Sequence, residues 1–199
     1  MIRKIMVLGC LLAFAGAANP ALAGCKGCDK VAKSGEGFCC GKGKIYGVEL
    51  SSEKLFKALE GHKVDKAEMK CPGCKKAAEE NGKCSHCNVS IANGQAFHSN
   101  VSYALAKGTP VSAEKAAACG GCKTAHEENG FCTGCSVGFV AGRIYASKES
   151  YETAKAAYAT LVKAASAATH CVECAVAMVT DGKCDHCDVS FKDGKQVKG

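Results

Sequence analysis

The chain has 199 residues, of which 17 are cysteine, none is tryptophan and 6% are aromatic, and its formal charge is +7. A chain of this length could be one or two ordinary domains, but so few rings leave little for a large apolar core, and a unit of roughly 45 residues is marginal unless disulfides, metal or neighbours support it. The charge is no nucleic-acid footprint: lysines are scattered among Glu and Asp, and Arg143 is the only arginine after Arg3.

The first element is a leader. Arg3 and Lys4 precede an apolar run from Ile5 to Ala18, followed by Asn19, Pro20 and small residues, the pattern of a secretory signal peptide over residues 1–23. Its apolar run is too short to read as a membrane span, and no later segment approaches ~20 consecutive apolar residues. The expectation is an exported protein, periplasmic or extracellular. Ala21 and Ala23 suit cleavage before Gly24, and Pro20 separates the apolar run from that point. Leu22 to Cys25, "LAGC", also resembles the lipobox of bacterial lipoproteins, which implies a membrane anchor through a lipid on Cys25. Without Arg3 and Lys4 the formal charge falls to +5.

From Cys25 onward the chain repeats. Three stretches share the spacing C-x2-C-x9-C-x2-C: Cys71 to Cys87, Cys119 to Cys135 and Cys171 to Cys187. A fourth, Cys25 to Cys40, is a damaged copy. The first cysteines of the four copies are 46, 48 and 52 residues apart, so one supersecondary unit recurs. The expected divisions are 24–70 (an atypical first repeat with a helix), 71–118, 119–170 (with a long helix) and 171–199 (a truncated fourth repeat).

Each unit reads in one order: cysteine pair, short turn, cysteine pair, hairpin, helix. The turn is placed at Asn81-Gly82, Asn129-Gly130 and Asp181-Gly182. After the second pair come alternating apolar residues, Val89 and Ile91, Val137 and Phe139, Val189 and Phe191, as in a half-buried strand. Asn93-Gly94, Ala141-Gly142 or Asp193-Gly194 then closes a hairpin. The first copy keeps Gly43 and Ile45-Tyr46 and reads as having lost the preceding strand. Helices follow at Ser51 or Ser52 with Leu55, Phe56 and Leu59, at Ser99 to Lys107, and after Ser147. The last carries an apolar stripe of Tyr151, Ala154, Tyr158, Leu161, Val162 and Ala165, read as core packing.

Two C-x2-C turns can aim four thiolates at one centre, and a tetrahedral four-cysteine set is a typical structural zinc site. With this pattern the chain resembles the zinc-ribbon group, in particular its short double-ribbon members. The resemblance covers the cysteine knuckles and hairpin of each copy. It implies a fold class of small metal-stapled α+β repeats, tandem zinc-ribbon-like units joined by α-helices, with zinc as cofactor. The implied ligands are Cys71, Cys74, Cys84 and Cys87; Cys119, Cys122, Cys132 and Cys135; and Cys171, Cys174, Cys184 and Cys187. Cys25, Cys28, Cys39 and Cys40 would make a fourth, weaker site, because adjacent cysteines rarely serve one ion with good geometry. Where many ribbons have Gly after the second pair, this chain has Asn88, Ser136 and Asp188.

Export leaves a second reading open, since an oxidising compartment favours disulfides, and the 16 cysteines from Cys25 onward could staple an interaction protein. The even spacing in three copies favours metal, because disulfides would not require it. A third reading, thiol-disulfide exchange, calls for a cysteine pair at a helix start on a βαβ scaffold with a depressed thiol pKa. No C-x-x-C is followed by His, which excludes covalent haem. His86 and His186, inside the second pairs, are read as exposed. No hydrolytic or phosphate-binding motif is present, and four cysteines leave no coordination position open, so no enzyme is expected. The sequence therefore points to an exported metal-binding repeat protein, either a binding scaffold for an envelope protein partner or an envelope metal buffer. Enclosed ligands would favour the scaffold.

Overall fold

The computed structural model describes Cys28, Val31 and residues 36–197. The expected leader over 1–23 and Cys25 lie outside the described residues. Among them, no helix is long and apolar enough to cross a membrane.

The sequence repeat is a structural repeat. The first copy contains β1 (Gly37–Cys39), β2 (Lys42–Ile45), β3 (Val48–Leu50) and helix α1 (Glu53–Leu59). The second contains β4 (His62–Lys63), α2 (Pro72–Glu80), β5 (Lys83–Cys84), β6 (Val89–Ala92), β7 (Gln95–Phe97) and α3 (Asn100–Ala106). The third contains β8 (Thr109–Pro110), α4 (Ala113–Ala116), α5 (Gly120–Glu128), β9 (Phe131–Cys132), β10 (Val137–Val140), β11 (Arg143–Tyr145) and α6 (Lys148–Ala167). The fourth contains α7 (Val172–Thr180), β12 (Lys183–Cys184), β13 (Val189–Lys192) and β14 (Lys195–Val197). Each copy has its own antiparallel sheet, in the orders β1-β2-β3, β4-β7-β6-β5, β8-β11-β10-β9 and β12-β13-β14. The two-residue edge strands β4 and β8 carry no sequence signal; β8 holds Pro110, at a sheet edge where a missing N–H costs no ladder bond.

The segment between the cysteine pairs corrects the expected short turn: it is a nine-residue helix, in α2, α5 and α7 alike. Cys71, Cys119 and Cys171 are the N-cap residues, with Pro72 in the first turn of α2, where its missing N–H is harmless. Asn81, Asn129 and Asp181 end the three helices in the left-handed conformation, with φ of 49°, 52° and 54°. The next N–H closes each end, as Gly82 to Ala77 O at 2.8 Å, Gly130 to Ala125 O at 2.7 Å and Gly182 to Ala177 O at 2.9 Å. The Asn-Gly and Asp-Gly pairs thus stop helices rather than turn hairpins.

The hairpin turns fall where expected. Both residues of Asn93-Gly94, Ala141-Gly142 and Asp193-Gly194 have positive φ, the type I′ pattern that matches strand twist. The first copy differs from its expected form, because it keeps both hairpin strands, β2 and β3. Its turn is Tyr46-Gly47, with φ of 50° and 78°, and Ile45 lies in the first of the two strands. A Tyr in the left-handed region hid that turn from a search for Asn, Asp and Gly.

Ser52, Ser99 and Ser147 cap the helices after the hairpins, each accepting from the backbone three residues on. α6 buries Tyr151, Ala154, Ala157, Leu161 and Ala164, whereas Val162, expected in its stripe, is 45% exposed. One residue past Leu161, it is rotated about 100° away from the buried face.

Each full copy has only a minute core of its own. The same three positions recur: Ala77, Cys84 and Ile91; Ala125, Cys132 and Phe139; Ala177, Cys184 and Phe191. The larger core lies between the copies, where Leu55, Leu59, Leu105, Tyr151, Leu161, Ala175 and Val179 form one buried cluster. It joins α1, α3, α6 and α7, so the repeats pack around shared helices.

Candidate metal centre

Helix and knuckle together build each cluster. The first two cysteines come from the start of α2, α5 or α7, the third from the short strand that follows, and the fourth from the loop before the hairpin. The loop then turns through Asn88, Ser136 or Asp188, with φ of 48°, 53° and 51°. These residues keep the left-handed backbone that glycine favours, so the sequence departure from the ribbon pattern leaves the conformation intact.

The structure brings together three four-sulfur groups: Cys71, Cys74, Cys84 and Cys87; Cys119, Cys122, Cys132 and Cys135; Cys171, Cys174, Cys184 and Cys187. In each, all four sulfurs lie within 4.8 Å of one another. Separations include Cys71 to Cys84 at 3.8 Å, Cys119 to Cys135 at 3.6 Å, Cys171 to Cys184 at 3.7 Å and Cys171 to Cys187 at 3.8 Å. A tetrahedron with metal–sulfur bonds of about 2.3 Å has edges of about 3.8 Å. None of these twelve cysteines is in a disulfide. The groups can hold metal ions.

The first copy also converges. Cys28 lies 3.2 Å from Cys39 and 3.7 Å from Cys40, with 3.4 Å between the adjacent pair. The four-residue loop of the other copies is here the two-residue turn Cys40-Gly41, and Cys40 takes a φ of 54°. That left-handed turn brings the neighbouring cysteines to one side of the loop, with two of the three separations well short of a tetrahedral edge.

The ligand sets are not enclosed as expected. Cys84, Cys132 and Cys184 are buried beneath the hairpins, but Cys87, Cys135 and Cys187 are exposed. Every full site has one exposed cysteine.

Charge is unevenly shared within each set. The Cys122 backbone N–H holds the Cys119 thiol down to about 7, and the Cys174 backbone N–H holds Cys171 down to about 6. Both are N-cap residues, where backbone donors and the helix dipole favour a thiolate. In the second copy burial pushes Cys84 up, but N–H groups of Cys87 and His86 outweigh it and bring the thiol to about 6. Two partners in each set are raised: Cys74 and Cys87, Cys122 and Cys135, Cys174 and Cys187. The hydrogen bond with Cys84 leads in lifting Cys74 to about 12, and burial leads for Cys122 and Cys174. One thiolate is stabilised and its neighbours resist joining it, as expected of close like charges without a cation between them.

Helix-start pairs with depressed thiols are two of the features required for thiol-disulfide exchange. The third is missing among the described residues, since every sheet is antiparallel and no βαβ unit carries a pair.

His86 and His186 are exposed, as expected, yet their rings face the sulfurs. His186 Nδ1 is 3.4 Å from Cys187 Sγ and 3.9 Å from Cys171 Sγ, and His86 Nδ1 is 4.0 Å from Cys71 Sγ. The sequence signal was the shared C-x-H-C spacing of these two copies, against C-T-G-C in the third.

Comparison with family models, with curated proteins and with solved structures found no match to this chain. The site itself defines a class: a mixed α/β protein of repeated four-cysteine clusters able to hold metal ions.

Proposed function

We propose that the protein is an exported, non-enzymatic zinc carrier. It holds one ion in each of three four-cysteine sites, with a fourth, weaker site at Cys28, Cys39 and Cys40 completed by Cys25. The carrying observation is three sets of four sulfurs at tetrahedral edge lengths. Zinc fits four thiolates with no redox change and no open position for a substrate. Its role is to buffer metal in the compartment reached through the leader, because each set presents one exposed cysteine to a competing ligand. The leader motif supports export, and release by cleavage before Gly24 is the form proposed.

A scaffold role is the second reading, favoured by the common core of α1, α3, α6 and α7. The two roles part on metal exchange. Zinc-loaded protein mixed with a weak chelator gives up at least one ion while its circular dichroism is unchanged if it buffers. Unfolding in step with every ion lost contradicts buffering and favours the scaffold.

A further inference from the structure

The second and fourth copies carry an imidazole beside their sulfurs, and the third carries none. His186 Nδ1 lies 3.4 Å and 3.9 Å from Cys187 and Cys171 sulfurs, separations of the size found between two ligands of one tetrahedral ion. His86 occupies the same place, 4.0 Å from Cys71 Sγ. Gly73 leaves it room, since a Cβ there would lie 2.7 Å from His86 Nδ1. In the third copy the equivalent residue is Gly134, with open space beyond it. The cysteine next to each imidazole, Cys87 or Cys187, is the exposed one.

We propose that His86 and His186 are exchange ligands. When Cys87 or Cys187 leaves the ion, its thiolate swings out to solvent with its charge and Nδ1 takes its position. A four-sulfur set then becomes three sulfurs and one nitrogen, from Cys71, Cys74, Cys84 and His86, or from Cys171, Cys174, Cys184 and His186. Neutral imidazole is a good zinc ligand, and the swap lowers the negative charge of the site by one, which eases transfer of the cation to an incoming acceptor. The third site, with no fifth donor, has no such route. The array then contains two exchanging sites and one structural site. This inference rests on the metal-binding reading above.

The test counts ions by native mass spectrometry on the full mature chain loaded with zinc. The double variant Cys87→Ala with Cys187→Ala is expected to hold as many ions as the wild type, whereas Cys135→Ala loses one. Loss of two ions from the double variant overturns the proposal while leaving the metal reading intact. A wild type that binds no ion overturns both. A second measurement keeps all cysteines in place: His86→Ala with His186→Ala is expected to slow transfer of two ions to a chelator about tenfold and leave the third unchanged. Faster transfer shows that the imidazoles only hold thiolates in place as N–H donors, and also overturns the proposal.

Discussion

Asn129 Oδ1 accepts the backbone N–H of Ala141 at 2.6 Å, tying the end of helix α5 to the turn of the hairpin that follows. The same bond joins Asn81 to Asn93 at 2.7 Å and Asp181 to Asp193 at 2.8 Å. One residue thus ends the helix in the left-handed conformation and fixes the hairpin over the sulfurs. Asn129→Ala should cost about 2–3 kcal/mol, the sum of a left-handed alanine and a lost hydrogen bond. Asn129→Gly should cost less than half of that, because only the hydrogen bond is lost. Chemical denaturation of the zinc-loaded variants measures both; equal losses would show that the backbone conformation is irrelevant.

Helix α7 links the fourth site to the common core. Cys171 and Cys174 lie at its start, while Ala175 and Val179 are fully buried among α1, α3 and α6. Ser99 donates its hydroxyl to Val179 O at 2.8 Å, and Asn100 Nδ2 donates to Asp181 at 2.6 Å. Lys54 pairs with Glu173 across the same interface. Cys174→Ala should therefore lower the melting temperature of the whole protein, whereas Cys122→Ala in α5, whose buried contacts stay in a satellite cluster, should loosen mainly its own copy. Hydrogen exchange resolves the two. Equal, global loss of protection in both variants would contradict this division.

Gly138 in β10 packs under Tyr151 of α6, and a Cβ there would run into the ring. Gly138→Ala should destabilise by roughly 1–3 kcal/mol, as overpacked cores do. Metal stoichiometry should be unchanged. An unaltered denaturation midpoint would show that α6 can shift at no cost.

Proton release gives a pH-dependent signature. Two thiols in each set are raised, Cys74 and Cys87, Cys122 and Cys135, Cys174 and Cys187, so they are protonated at neutral pH in the metal-free protein. Each must ionise to bind, so affinity falls as pH falls. The lowered thiols, Cys84 at about 6, Cys119 at about 7 and Cys171 at about 6, favour the folded chain above their unfolded values, and that contribution is lost as pH drops through these folded values. Calorimetry at pH 7 in buffers of different ionisation heats should show at least two protons released per ion. Release of fewer than one would contradict the thiol assignments.

Much of this was legible in the sequence because local chemistry and tertiary role agree. Ser52, Ser99 and Ser147 read as caps and are caps, and the hairpin turns with glycine at their second position have the expected backbone. The helices inside the cysteine units were hidden for a physical reason. α2 and α5 bury almost nothing beyond Ala77 and Ala125 and the cysteines themselves, so no apolar stripe announces them. Their remaining signals, Pro72 at the start and Asn-Gly at the end, fit a turn equally well. The side-by-side packing of copies was equally silent, since nothing in the spacing of Leu55, Leu105, Leu161 and Val179 tells which helices meet.

If the twelve cysteines of the full copies are metal ligands, they are reduced and loaded in the native protein. The most direct test is intact mass of protein purified from its exporting compartment, under native and then denaturing conditions, with alkylation of free thiols. The native mass should be increased by at least three divalent ions, and the twelve thiols of the full copies should be alkylated once the protein is denatured. A metal-free mass, short by about two hydrogens for each cysteine pair, would contradict metal ligation and make the repeats disulfide-stapled.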